Sequence, residues 1–184
     1  MRVSKEQAEE NRARIVATAS RLFREKGFDG VGLDAIMADA GLTHGGFYRH
    51  FASKDALAEE AVTRGLAASA ARQNTYGSLK DFVAAYLSPA HRDNPGSGCV
   101  MAALGGDIAR QTPGVRRALT TYVSEQLGRL ARRIGGRRAA SRKQAIATLS
   151  GLVGALVLAR AVDDPALSDE ILAAARAAYG GPDA

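Results

Sequence analysis

Cysteine is almost missing from this sequence. Cys99 stands alone among 184 residues, which excludes an intrachain disulfide framework and a structural zinc site built on paired cysteines. Period-2 alternation is also scarce, so strands are not expected. The opening MRVSKEQAEENRAR holds no apolar stretch, and no signal peptide is expected. The one long apolar segment, Ala145 to Val162, is interrupted by Thr148, Ser150 and Arg160. Its Gly and Ala content predicts a core helix buried nearly all round rather than a membrane span. There is no glycine-rich phosphate loop, no paired metal-ligand motif and no nucleophile–base arrangement around Cys99 or His91. An enzyme is therefore not expected, and no cofactor or metal is called for. What remains is 46% hydrophobic and 24% charged residues, the composition of an ordered globular chain. A cytoplasmic protein without a membrane partner is expected.

Acid is missing from one stretch in particular. Residues 110–143 hold ten Lys/Arg against the single acid Glu125, whereas residues 1–60 hold 9 Lys/Arg against 10 Asp/Glu. The net charge of +6 invites a nucleic-acid partner, but its distribution does not say where one would bind. Motif and geometry must decide.

The pattern predicts an all-α chain of about nine helices. Ser4 and Gln7 have capping-box spacing, and Ile15, Ala19, Leu22 and Phe23 then recur at helical intervals up to a stop at Gly27. A short helix fits Leu33 to Ala40, with Gly32 as N-cap and Gly41 as its end. Thr43 caps a third helix through about Phe51, and Ser53 a fourth from Lys54 towards Arg72. Ser78 and Asp81 open a helix with the apolar stripe Leu79, Phe82, Val83, Tyr86 and Leu87. Pro89 to Gly98 reads as a loop. Further helices follow Cys99 and Thr112-Pro113, the latter broken at Gly135-Gly136. The last two run from about Ser141 to Val162 and from Leu167 to Tyr179.

The segment Leu33–Lys54, LDAIMADAGLTHGGFYRHFASK, is a helix-turn-helix arrangement. Ile36, Leu42, Phe47 and Phe51 anchor the second helix so that its N-terminal end projects towards a major groove. The run closely resembles the N-terminal pattern of the tetracycline-repressor (TetR/AcrR) family of bacterial regulators. The resemblance rests on Arg12/Ile15, Leu22-Phe23, Gly27-Phe28, Ile36, Ala40-Gly41-Leu42-Thr43, Gly45, Phe47-Tyr48, His50-Phe51, Ser53-Lys54-Asp55 and Leu57. It covers about 50 residues; Gly32, in place of a Thr or Ser cap, and Met37, in place of a small residue, depart from it. It implies a DNA-binding domain over 1–53, with the motif at about 32–51. It further implies a helical effector-binding and dimerisation domain over 54–184. Carried over by position, Tyr48, His50 and Lys54 would contact phosphates, while Thr43, His44, Gly46 and Arg49 would face the groove. Arg49 suits guanine O6/N7. Gly45 and Gly46 each cost roughly 1 kcal/mol of helix propensity but permit close backbone approach. His44 and His50 are too far apart around the helix to share a metal.

Downstream, Ala147, Gly151, Ala155 and Ala159 form a small-residue stripe that admits a close helix neighbour. With Ile171 and Ala175 of the last helix it predicts a dimer seam, in keeping with the resemblance and with a palindromic operator on double-stranded DNA; an intrachain core is the alternative. The resemblance also implies a pocket for an unknown small-molecule effector. Phe82, Tyr86, Met101, Leu104, Tyr122 and Val123 are its candidate lining. Cys99, at a predicted helix start, is a small buried residue or, alternatively, a redox or electrophile sensor. The Arg129–Lys143 cluster reads as a solvated helix junction. A homodimeric, nucleoid-associated repressor released by a ligand is the function these readings favour.

Overall fold

The computed structural model describes residues 4–135 and 138–180, in which every regular element is helical. The α-helices are α1 (Lys5–Lys26), α2 (Leu33–Asp39), α3 (Lys54–Gln73), α4 (Leu79–Tyr86), α5 (Pro89–Asp93), α6 (Val100–Ile108), α7 (Pro113–Ile134), α8 (Arg138–Ala161) and α9 (Pro165–Tyr179). Two 3₁₀ turns, His44–Arg49 and Pro95–Ser97, complete them. The count of nine matches the expectation, but its members differ. The third expected helix is a 3₁₀ turn, and the expected loop at Pro89–Gly98 holds α5 and the second 3₁₀ turn. Ser88 explains α5: its hydroxyl accepts from His91 N–H ahead of a proline at the first helical position.

Local chemistry accounts for most helix ends. Ser4, Ser53 and Ser78 each accept from the backbone N–H three residues on. The reciprocal half of the expected capping box is not made, because the Gln7 amide turns to Glu10 and Asn11 instead. Thr43 likewise makes no side-chain cap bond. The expected last helix starts two residues early, at Pro165, where the Asp164 carboxylate accepts from Ala166 and Leu167 N–H. Gly136 and Arg137 lie outside the described residues.

The N-terminal head forms because α1 supplies Ile15, Ala19 and Phe23, all fully buried, to meet Ile36, Met37 and Phe47. Phe23 tilts against Phe28 at 5.1 Å between ring centroids, and Phe47 stacks on Phe51 at 5.7 Å. Arg12 lies 4.6 Å from the centre of the Phe51 ring and pairs with Glu60, tying α1 to α3. On its far side α3 packs along α7, so one helix belongs to both the head and the body.

In the body, α8 packs between α7 and α9 and touches α6. By length and composition α8 is apolar enough to cross a membrane, yet Ser141 and Thr148 on it are buried inside the chain. It is not buried all round as expected: Ile146, Val157 and Leu158 are exposed. The small-residue stripe is also corrected. A Cβ at Gly151 would run into the Tyr179 ring of α9, and Ala155 and Ala159 are buried within the chain. Their spacing serves the pairing of the chain's own last two helices.

Gly41 fixes the angle between α2 and the turn that follows. Its φ of +70° places Leu42 N–H 2.9 Å from the Met37 carbonyl, closing α2 with a Schellman-type bond. Gly41→Ala forces an L side chain into that region and should cost about 1–2 kcal/mol. Urea unfolding of the two proteins checks this.

Candidate functional site

The turn His44–Arg49 is held from below by Phe47, which is fully buried, and by Phe51 beneath it. Gly45-Gly46 is a poor α-helix former, and the turn closes with i→i−3 bonds, Gly46 N–H to Thr43 carbonyl and His50 N–H to Phe47 carbonyl. The outer side carries Thr43, His44, Gly45, Tyr48 and Arg49, all exposed. Tyr48 is 65% exposed, its ring set edge-on to Phe47. Among the described residues, Arg49 has no hydrogen-bond or ion-pair partner and the Thr43 hydroxyl has none either. Five of the expected DNA-contacting residues thus share one exposed surface, Gly46 and His50 are half-buried beside it, and Lys54 stands apart.

Lys54 is half-buried, and its ammonium donates to the Phe28 carbonyl at 2.6 Å. It therefore fastens α3 to the segment after α1, whatever else it meets. His44 Nδ1 stands 2.5 Å from the Asp34 carboxylate, a contact that the sequence pattern did not reveal. Burial, followed by the nearby Arg12 and Arg49 charges, pushes the His50 imidazole below its usual value. At neutral pH it offers one N–H without a charge. A cleft of about 270 Å³ beside the turn is lined in part by Asn11, Thr43, Gly46, Arg49 and His50.

Several acids of this region are answered within the chain. Glu60 pairs with Arg12, Glu25 and Asp39 with Arg21, and Asp34 with His44. The local balance at the turn is therefore set by Arg49, although residues 1–60 are net acidic. Gly45 has open space where a Cβ would stand, and Gly46 only ordinary contact with Met37 at 3.7 Å. Neither has a positive φ. The chain's own packing requires neither glycine.

A second feature lies in the body. A cavity of about 270 Å³ opens between α3, α4 and the segment before α6, lined by residues that include Arg72, Gln73, Tyr76, Phe82, Tyr86, His91 and Cys99. Of the expected lining, Phe82 and Tyr86 are there. Met101, Leu104, Tyr122 and Val123 are not: the first three are buried core and Val123 packs beside it. Tyr122 reaches only the back of the wall, accepting from Gln73 Nε2 at 3.2 Å and Gln126 Nε2 at 2.6 Å. Arg72 and His91 were not foreseen, and no sequence signal marks Arg72. Cys99 is buried as expected, at the N-cap of α6.

The Tyr86 hydroxyl is buried with no hydrogen-bond partner. Burial, and then the neighbouring Cys99 thiol, raises its phenol well above the ordinary value. His91 joins two segments: Nδ1–H donates to the Tyr86 carbonyl at 2.6 Å, and Nε2 accepts from Cys99 N–H at 2.9 Å. Arg129 and Arg133 of the basic cluster turn inward rather than lying in a solvated junction. Arg133 donates to the Gln73 and Tyr76 carbonyls, and Arg129 to Gln126. A larger groove of about 640 Å³, bordered by Arg92, Asp93, Val157, Arg160 and Asp163, carries both signs of charge, and Arg92 is already paired with Asp93 and Asp169.

Comparison with known proteins follows this division. Residues 15–61 match the family model described as bacterial regulatory proteins, tetR family. The chain is 44% identical over 48 residues to the uncharacterized HTH-type transcriptional regulator YerO of Bacillus subtilis, covering 26% of this chain and 17% of that protein. It is 27% identical over 126 residues to the HTH-type transcriptional repressor NemR of Escherichia coli, covering 64% of this chain and 63% of that one. The chain thus spans less than two thirds of either relative. The crystal structure of reduced E. coli NemR superposes with a TM-score of 0.74 at 23% identity, covering 92% and 95% of the two chains. A TetR-family transcriptional regulator from Cytophaga hutchinsonii gives 0.75 at 20% identity, covering 98% of each. These two likenesses establish the fold.

Two outcomes test the geometry. Gly45→Ala should leave stability unchanged or raise it by up to about 1 kcal/mol, in contrast to Gly41→Ala, as thermal melts of both will tell. His91 titrates below its usual value because of burial first and the Arg160 and Arg72 charges after it. A depressed histidine contributes stability that is complete above its unfolded value near 6.5 and is lost as pH falls through the folded value. The melting temperature should therefore drop on acidification from pH 8 to pH 5, and drop less steeply in His91→Ala.

Proposed function

We propose, from the match of residues 15–61 to the model of bacterial regulatory proteins, tetR family, that the chain is a DNA-binding transcriptional regulator of that family. The observation that carries this reading is the solvent-facing surface of the His44–Arg49 turn, braced on Phe47 and Phe51 and left with an unpaired Arg49. Such a turn enters a major groove by its N-terminal end. Arg49 supplies a bidentate donor for guanine, Tyr48 and His50 supply donors for phosphate oxygens, and the glycine pair lets the sugar–phosphate backbone come close. Lys54 serves both the fold and, with its remaining N–H groups, the phosphates. The head accounts for residues 1–53 and the effector-binding and dimerising body for 54–184.

The regulator acts as a homodimer on a palindromic operator in the cytoplasm. Support comes from the large apolar side chains that the body leaves uncovered, Leu167 of α9 and Ile146, Val157 and Leu158 of α8, each more than 40% exposed. Ala147 is exposed on the same helix, whereas Gly151, Ala155 and Ala159 face inward. Two such faces related by a two-fold axis bury one another and set two heads on successive turns of DNA. Repression released by a small molecule in the Arg72–Cys99 cavity completes the reading; NemR, named a repressor, is the relative that favours that sign.

Selection of bound DNA from a random library tests the function directly: recovery of a palindrome is expected, and recovery of no enriched sequence would overturn it. Arg49→Ala should lower the ratio of specific to random-DNA affinity by about 1–3 kcal/mol. Equal losses on both DNAs would make Arg49 a backbone contact. Leu158→Glu should yield monomers in analytical ultracentrifugation, retain the helical circular dichroism of the parent, and lose operator affinity with the second head.

A further inference from the structure

We propose that the cavity between α3, α4 and the start of α6 is built for a small aromatic carboxylate of the benzoate class. The inference rests on reading the body as an effector domain and gives that effector a chemistry. Volume sets the size. About 270 Å³ holds about nine heavy atoms at the packing of a condensed liquid, which is a single ring with one small substituent.

The walls set the shape. Tyr76, Phe82, Tyr86 and His91 form a continuous run of rings, with successive centroids 6.0, 5.6 and 4.9 Å apart and every pair tilted or edge-on. Tilted and edge-on rings offer faces and edges to a further ring placed among them. An aliphatic guest of the same size would use that wall less well.

Charge sets the sign. No Asp or Glu lines the cavity, and Arg72 is the one ionised side chain on its wall. Its guanidinium forms no ion pair and touches only the Ser69 hydroxyl, at the long distance of 3.5 Å. Arg133 stands behind the Phe82 ring, and Arg160 binds the His91 carbonyl from outside the wall, adding positive potential that no lining carboxylate cancels. The Tyr86 hydroxyl is closed off from this space, so the polar group left for a guest is Arg72. A carboxylate on the guest pairs with that guanidinium in a charge-assisted contact. Cys99, on the same wall, then lies beside the guest and reports its presence.

Isothermal titration of the full chain with benzoate and with neutral benzamide tests the assignment. Benzoate should bind once per chain and at least about ten-fold more tightly than benzamide, the factor expected of one charge-assisted contact. Arg72→Gln should remove that preference while leaving benzamide unchanged. Saturating benzoate should also slow alkylation of Cys99 by iodoacetamide. Equal affinities for the two probes, a benzoate affinity indifferent to Arg72→Gln, no heat from a folded parent, or an unchanged alkylation rate would each overturn the proposal. Operator titration of the same samples separates the two readings. Benzoate that fills the cavity without loosening DNA would leave the ligand class standing and remove ligand-released repression.

Discussion

Arg24 is the residue on which the rest of the architecture turns. It sits in the last turn of α1, and its guanidinium is half-buried where α1, α3 and the segment before α6 converge. Nε donates to the Gly96 carbonyl at 2.8 Å, Nη2 reaches the same oxygen, and Nη1 donates to Ser20 at 2.9 Å. Only glycine leaves it room: a Cβ at Gly65 would collide with the guanidinium, and with Val100 of α6. Burial, and then the charge of Arg72, lowers Arg24 to about 10, still high enough to keep it charged at neutral pH. A half-buried cation that has given up part of its water needs those fixed oxygens in its place. The N-terminal head is thereby fastened to Gly96, one residue before the Ser97–Cys99 wall of the cavity.

That joint links the cavity in the body to the head without a hinge loop between them. Under the proposed ligand-released regulation, a guest that shifted Ser97 or Gly98 would move the carbonyl that Arg24 holds, and Arg24 is part of α1. The α3 helix supplies a second path, since Arg72 at its end faces the cavity while Lys54 at its start holds the Phe28 carbonyl.

The body illustrates why small residues have two uses. Spacing of four along α8 creates a groove whichever helix fills it. Here the Tyr179 ring of α9 fills it, so Gly151, Ala155 and Ala159 pack inside the chain. The larger apolar residues Ile146, Val157 and Leu158 are left to face outward. Charge behaves similarly. The net acidity of residues 1–60 does not reach the tip of the turn, because Glu25, Asp34, Asp39 and Glu60 pair with Arg21, His44 and Arg12 while Arg49 stays unpaired among the described residues.

Much was legible in the residues themselves. The helical periods, the serine caps and the Gly27 and Gly41 stops depend on backbone chemistry within a few residues, and they stand where the pattern put them. The buried set Ile36, Phe47 and Phe51 follows from the same periodicity and positions the exposed face of the turn. Contacts between distant segments were not legible. Lys54 on Phe28, His44 on Asp34, Arg133 on the Gln73 and Tyr76 carbonyls, and Arg72 beside Tyr86 join residues whose types fit many partners. The turn's 3₁₀ form, the inward stripe of α8 and the composition of the cavity were likewise decided by packing. A residue's periodicity says which side of its helix it lies on, and only the neighbouring helices determine what that side meets.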